Sequence, residues 1–175
     1  MKKHVVLLCA VVSACLVLST NVAADWATSS GSCYGKGDKY LDMGMSLPVF
    51  VFGTHVAFDY AFHDAISGGG GIGFRYYYAD AAWYPWDAAY ITFLGRAAFH
   101  PFNLKVWADK IKVRDKLDVW VGPTVWVAPS LNGYDPDWGV REYLGARWHF
   151  TPKLGVFLED CGGFGFIDGG LTLQF

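Results

Sequence analysis

Nine ionisable side chains fall where a β-strand reading turns them to one face: the carboxylates of Asp42, Asp59, Asp118, Glu159 and Asp168, and the guanidiniums of Arg75, Arg96, Arg141 and Arg147. Guanidinium and carboxylate make forked, charge-assisted hydrogen bonds. The set therefore suits a confined polar interior, where every charge has to be paired or hydrogen-bonded. Two outcomes are open to it, a packed ionic plug or the lining of a narrow conduit. Arg147 and Glu159, placed diagonally across the Thr151-Pro152 hairpin, are the first pair expected.

Other constellations carry less. Gly68, Gly70 and Gly73 have the spacing of a dinucleotide fingerprint, but Phe74-Arg75-Tyr76-Tyr77-Tyr78 continues a strand where a helix N-terminus is needed to hold a pyrophosphate. Gly69, Gly71 and Gly73 are instead expected to clear room for long side chains from across the interior. His55 and Asp59 share a strand face and lack a third metal ligand. His149, Thr151 and Glu159 sketch a hydrolase triad, yet Thr151 sits in a turn and no serine is suitably placed. The expectation is no catalytic residue, no metal and no cofactor.

The elements that position these groups are strands. Leu41, Met43, Met45, Leu47 and Val49 alternate with Tyr40, Asp42, Gly44, Ser46 and Pro48. The same period of two recurs around Val56–Phe62, Ile72–Tyr76, Ile91–Phe99, Leu117–Val127, Leu144–Phe150 and Val156–Leu158, and in the terminal Gly-Gly-Leu-Thr-Leu-Gln-Phe. Eight strands fit an even-numbered antiparallel barrel with both chain ends on one side. One set of connections holds the His63-Asp64 turn, the segment 101–116 and the Thr151-Pro152-Lys153 turn. The other holds 51–53, 79–87, 129–137 and 162–165.

Alternation alone does not say which face lies inside, because a soluble barrel hides its apolar face and a membrane barrel turns it to lipid. Lysine placement decides. Lys36, Lys39, Lys105, Lys110, Lys112, Lys116 and Lys153 all lie before the first strand or in the first set of connections, whereas soluble sheets commonly carry Lys on exposed strand positions. Aromatics bunch at both sets of strand ends. Tyr76, Tyr77, Tyr78, Trp83, Tyr84, Trp86, Tyr134 and Trp138 lie at one, and Tyr60, Phe62, Phe99, Phe102, Trp148, Phe150 and Phe175 at the other, as two interfacial girdles would require. Asp160 and Glu142, on the nominal lipid face, are expected near the outer rim, where a charge is cheapest.

Met1–Ala24 has a basic start, an apolar stretch from Val5 to Leu18 and small residues before Asp25, the layout of a cleavable signal peptide. A lipoprotein box at Val12-Ser13-Ala14-Cys15 competes with it, but the apolar run continues past Cys15. Export fits a barrel in the bacterial outer membrane, with 1–24 as signal, 25–39 as an N-terminal periplasmic segment and 40–175 as the barrel. Removing Lys2 and Lys3 with the signal leaves 12 basic against 16 acidic side chains, which argues against nucleic acid as a partner. Cys33 and Cys161 remain in the mature chain, as a disulfide or as two thiols. The run Lys105, Lys110, Lys112, Arg114 and Lys116 reads as a solvated basic face.

Segments such as His55-Val-Ala-Phe-Asp-Tyr-Ala-Phe, Leu94-Gly-Arg-Ala-Ala-Phe-His-Pro-Phe-Asn, Lys116-Leu-Asp-Val-Trp-Val-Gly and Leu144-Gly-Ala-Arg-Trp-His-Phe-Thr resemble the strands and periplasmic turns of the small eight-stranded outer-membrane barrels, the superfamily of outer-membrane proteins A, X and W. The resemblance implies an all-β, eight-stranded, antiparallel up-and-down transmembrane β-barrel. It also implies that Leu171, Leu173 and Phe175 form the signal read by the outer-membrane assembly machinery. The functions it brings are a structural or surface-interaction role, a narrow conduit for small or hydrophobic molecules, and, most remotely, a lipid-modifying enzyme. Outer-membrane lipid and an extracellular ligand or small hydrophobic solute are the partners that go with these.

Overall fold

A computed structural model of the chain describes residues 26–46, 51–78, 87–160 and 167–175. The expected signal, residues 79–86 of the expected connection 79–87, and the expected connection at 162–165 lie outside the described residues.

Period-two segments became the strands β1 (Lys39–Ser46), β2 (Val51–His63), β3 (Ile66–Tyr77), β4 (Ala88–Phe99), β5 (Leu117–Ala128), β6 (Asp137–Thr151), β7 (Leu154–Asp160) and β8 (Ile167–Gln174). Each pairs antiparallel with its neighbour in sequence, and β1 closes on β8 from Tyr40 opposite Gln174 to Ser46 opposite Asp168. Closure removes the two open edges that an eight-stranded sheet would otherwise have. The stretch 51–53, expected as a connection, belongs to β2: Val51, Phe52 and Gly53 pair with Tyr77, Tyr76 and Arg75 and keep the alternation going. Among the described connections, 101–116 alone contains helical structure, two 3₁₀ turns around the short helix α1 (Lys105–Ala108).

The parity is inside-out relative to a soluble protein. Met45, Ile72, Val127, Leu144 and Leu158 are each half exposed on the outer surface, while Asp42, Asp168 and Glu159 are at most 1 % exposed. Isolated soluble monomers rarely show an apolar belt of this extent, but a barrel with its outer face in hydrocarbon requires one. Phe62, Phe150, Phe175 and Trp148 ring one end, and Tyr78, Tyr134 and Trp138 lie exposed at the other. Tyr77 departs from the expected girdle. Its parity is that of Arg75, so its ring turns inward and packs edge-on against Tyr90 at 5.8 Å. Trp83, Tyr84 and Trp86 lie outside the described residues. Glu142 sits one step above Leu144, which pairs with Asp160 at the end of β7, so both exposed acids lie level with the end of that short strand.

Candidate functional site: a charged lumen and its cap

The inward positions of β1 to β7 each contribute one member to a single chain of polar contacts. Arg96 on β4 is its hub: Nε donates to Asp59 Oδ1 (2.9 Å), Nη1 to Glu159 Oε2 (3.0 Å) and Nη2 to Asp42 Oδ2 (2.9 Å) and to Asp59 Oδ2. Asp42 then bridges to Arg147, whose Nη2 lies 2.9 Å from Asp42 Oδ2 and whose Nη1 donates to Asp118 Oδ2 at 3.3 Å. Aromatic faces complete the surroundings, with the Arg147 guanidinium 4.2 Å from the Tyr40 ring centre and 4.7 Å from that of Trp120.

The expected Arg147–Glu159 pair does not form. In the β6–β7 ladder Arg147 stands opposite Phe157 and Gly145 opposite Glu159, so the two are diagonal as anticipated. An eight-stranded lumen is narrow enough, however, for a long side chain to reach the far wall, and each residue takes a partner there: Arg147 takes Asp42, and Glu159 takes Arg96. Arg75 lies nearer the outer rim, 2.8 Å from Asp137 and 3.1 Å from the Tyr77 hydroxyl. Arg141, half-buried, stands apart from the central network among the described residues. Asp168 is fully buried on β8, in register with Glu159 on one side and Ser46 on the other.

Glycine placement follows from this network. Gly69 pairs with Asp59 on β2 and with Arg96 on β4, so that ion pair passes directly over it. The atoms nearest a Cβ placed there belong to Phe58 and Asp59 of the adjacent β2, not to side chains from across the barrel as expected. On β6, Gly145 and Gly139 lie under the rings of Trp120 and Trp126, leaving no room for a Cβ.

Asp118 carries a second contact that sequence reasoning missed. Its Oδ1 lies 2.8 Å from His100 Nδ1, and His100 Nε2 lies 3.0 Å from Ser67 Oγ. The order is that of a nucleophile, base and acid. Catalysis would also need a place for the reacting atom next to the hydroxyl. Here the Tyr34 ring stacks on His100 at 3.6 Å, and the void bounded by Tyr34, Tyr40, Ser67, His100, Trp120 and Arg147 is too small to admit a water molecule. As arranged, the relay satisfies three buried polar groups and fixes β3, β4 and β5 to one another. Of the two residues weighed and set aside as metal ligands, Asp59 is engaged by Arg96 and His55 lies edge-on to Phe157.

Tyr34 belongs to a cap that closes this end of the barrel. Residues 26–38 run across the mouth and bind the 101–116 connection: Thr28 N–H donates to Asn103 O, Lys105 N–H to Trp26 O and Cys33 N–H to Arg114 O. Gly31 and Gly37 take left-handed backbone angles that supply the turns. Asn103 Nδ2 donates to Tyr34 O. Arg114, expected on a solvated face, is 5 % exposed and donates to the carbonyls of Thr28, Phe102 and Ser30. Its four lysine neighbours are exposed as anticipated. Burial, reinforced by the Asp118 charge, pushes the Cys33 thiol up to about 12. Cys161 lies outside the described residues, and the preceding Asp160 ends β7 at the opposite rim. Arg114→Ala leaves three carbonyls without this donor, at about 1–3 kcal/mol for a buried group left unpaired. Limited proteolysis in detergent is expected to clip the 26–38 segment of the variant while its barrel circular dichroism is unchanged; equal resistance in both proteins rejects the latch.

These features define a closed eight-stranded barrel with an apolar exterior, a charged interior and a capped mouth. No family model and no curated protein matches the sequence. Among solved structures the chain is similar to a de novo designed transmembrane β-barrel, with a TM-score of 0.50 and 10 % identity over 80 % of this chain and 97 % of that one. It is also similar to the outer membrane protein OprG of Pseudomonas aeruginosa (TM-score 0.49, 10 % identity, 82 % and 99 % covered) and to Ail, the attachment invasion locus protein of Yersinia pestis (0.36, 10 %, 80 % and 99 %). At such identities the likeness concerns the fold alone.

Proposed function

We propose that the protein is an integral barrel of the bacterial outer membrane whose lumen is filled, serving as a structural or surface-interaction element. The observation that carries this reading is the pairing of an apolar outer belt with a buried ion network that spans the interior. Leu171 and Phe175, both exposed on β8 and just beyond it, suit the role of an assembly signal because they remain readable from outside the strand. Exposed Leu131, Tyr134 and Asp135 on the β5–β6 connection offer an apolar and acidic surface to an external ligand.

A filled lumen should not conduct. The mature chain, refolded in detergent and inserted into planar bilayers, is expected to give no steady current and no small-solute flux in liposome swelling. Steady flux that disappears on changing Arg96 or Arg147 would replace the plug with the narrow conduit. A mature chain that dissolves as a monomer without detergent would overturn the membrane reading altogether.

A further inference from the structure

The 101–116 connection has two sides. Asn103 and Arg114 are turned inward and occupied by the cap. Outward, Val106 is 60 %, Trp107 46 % and Val113 45 % exposed, an apolar group on a connection that also exposes Lys105, Lys110, Lys112 and Lys116. Lys110 Nζ lies 5.6 Å from the Trp107 ring centre, so charge and ring present together. Position matters as much as composition. Lys105 is hydrogen-bonded to Trp26, and the Trp26 ring stacks against Phe99, which has the outward parity of β4. The connection is thereby tied to the perimeter of the barrel, at the end ringed by Phe62, Phe150 and Phe175.

We propose that this connection is a foot resting in the bilayer interface on the capped side, with Val106, Trp107 and Val113 dipping below the headgroups and the four lysines binding anionic phospholipid. Continuity with the aromatic ring and the charge of the lysines both favour this occupant, since Trp and aliphatic groups interleaved with Lys are the chemistry of an anionic membrane surface. A soluble partner would not need the connection to be tied to the barrel perimeter through Trp26 and Phe99. The foot holds the cap as well as the lipid, because the backbone of Arg114 and the side chain of Asn103 bind the 26–38 segment.

The inference rests on the barrel being embedded, and the test separates the two. Nitroxides are placed at Val106, at Ile72 midway along the outer face of β3 and at Asn132 on the opposite connection, each in a full mature chain with Cys33→Ser and Cys161→Ser. The protein is reconstituted into phosphatidylcholine vesicles with and without phosphatidylglycerol, and relaxation by oxygen is compared with relaxation by a water-soluble nickel chelate. The expected oxygen-to-nickel ratio at 106 is several-fold above that at 132 when phosphatidylglycerol is present, and falls without it or on changing the four lysines to Gln. An aqueous ratio at 106 with a lipid ratio at 72 overturns the foot and leaves the barrel standing. Protection of 106 from both reagents, or indifference to phosphatidylglycerol, also overturns it. An aqueous ratio at 72 removes the embedded barrel itself.

Discussion

Arg96→Met should lower the urea midpoint of the refolded barrel by the largest margin of any single charge removal in the lumen. Three carboxylates, Asp42, Asp59 and Glu159, share this one guanidinium, and all of them are buried. Removing one partner of a buried ion pair costs about 3–5 kcal/mol, because the charge left behind has lost both water and counterion. That is a large part of the ~5–15 kcal/mol that holds a typical domain folded. Asp42 retains Arg147, so the burden falls on Asp59 and Glu159. Arg96→Lys keeps a charge but loses the planar fork that serves three directions at once, and should fall between the two. Adding Asp59→Asn and Glu159→Gln to Arg96→Met should recover part of the loss, since neutral amides are far cheaper to bury than carboxylates. Tryptophan fluorescence against urea, in the same detergent throughout, reads all four proteins. A midpoint unchanged in Arg96→Met would mean that the interior is wet enough to solvate these groups, and the plug would have to be abandoned.

How much of this was legible in the sequence depends on the range of each interaction. Inward parity was legible because side-chain direction alternates with every residue: Asp42, Asp59, Arg96, Asp118, Arg147 and Glu159 all face where the apolar residues beside them do not. Partner choice was not. Asp42 and Arg147 are 105 residues apart, and what brings them together is strand tilt and closure, which no local pattern records. Hairpin reasoning could only offer Arg147 and Glu159, neighbours in the ladder. The cap was missed for a different reason. Tyr34 lies in a stretch of Gly, Ser and Lys without periodicity, and Arg114 sits among lysines that are solvated. A signal was present in that Arg114 is the one guanidinium in the connection, and guanidinium is the better group for capturing several carbonyls. The Ser67–His100–Asp118 relay escaped because a histidine search that starts from sequence proximity finds His149 and Glu159 first.

Gly69→Ala should be worse than its size suggests, and Gly95→Ala, one strand away, should be nearly silent. A Cβ at Gly69 would lie 1.9 Å from the Phe58 carbonyl oxygen and 2.3 Å from Asp59 Oδ1, whereas at Gly95 the nearest atom is a methyl of Val125 at 3.8 Å. The first contact is with the backbone of the adjacent strand, which no rotamer change relieves; the second is with the carboxylate that Arg96 holds. Overpacking alone costs about 1–3 kcal/mol, and displacing Asp59 from Arg96 exposes the protein to the further ~3–5 kcal/mol of a broken buried pair. Both terms act through the same three in-register residues, Asp59, Gly69 and Arg96, so they are not independent. A double-mutant comparison exploits this. In an Arg96→Met, Asp59→Ala background the ion pair is already absent and the carboxylate contact is gone, so Gly69→Ala should cost only the backbone clash. Equal losses from Gly69→Ala in the two backgrounds would show that the glycine serves the ladder alone. A smaller loss in the second background would show that this glycine is part of the charge network, present because the bridge between Asp59 and Arg96 leaves no volume for a side chain beneath it.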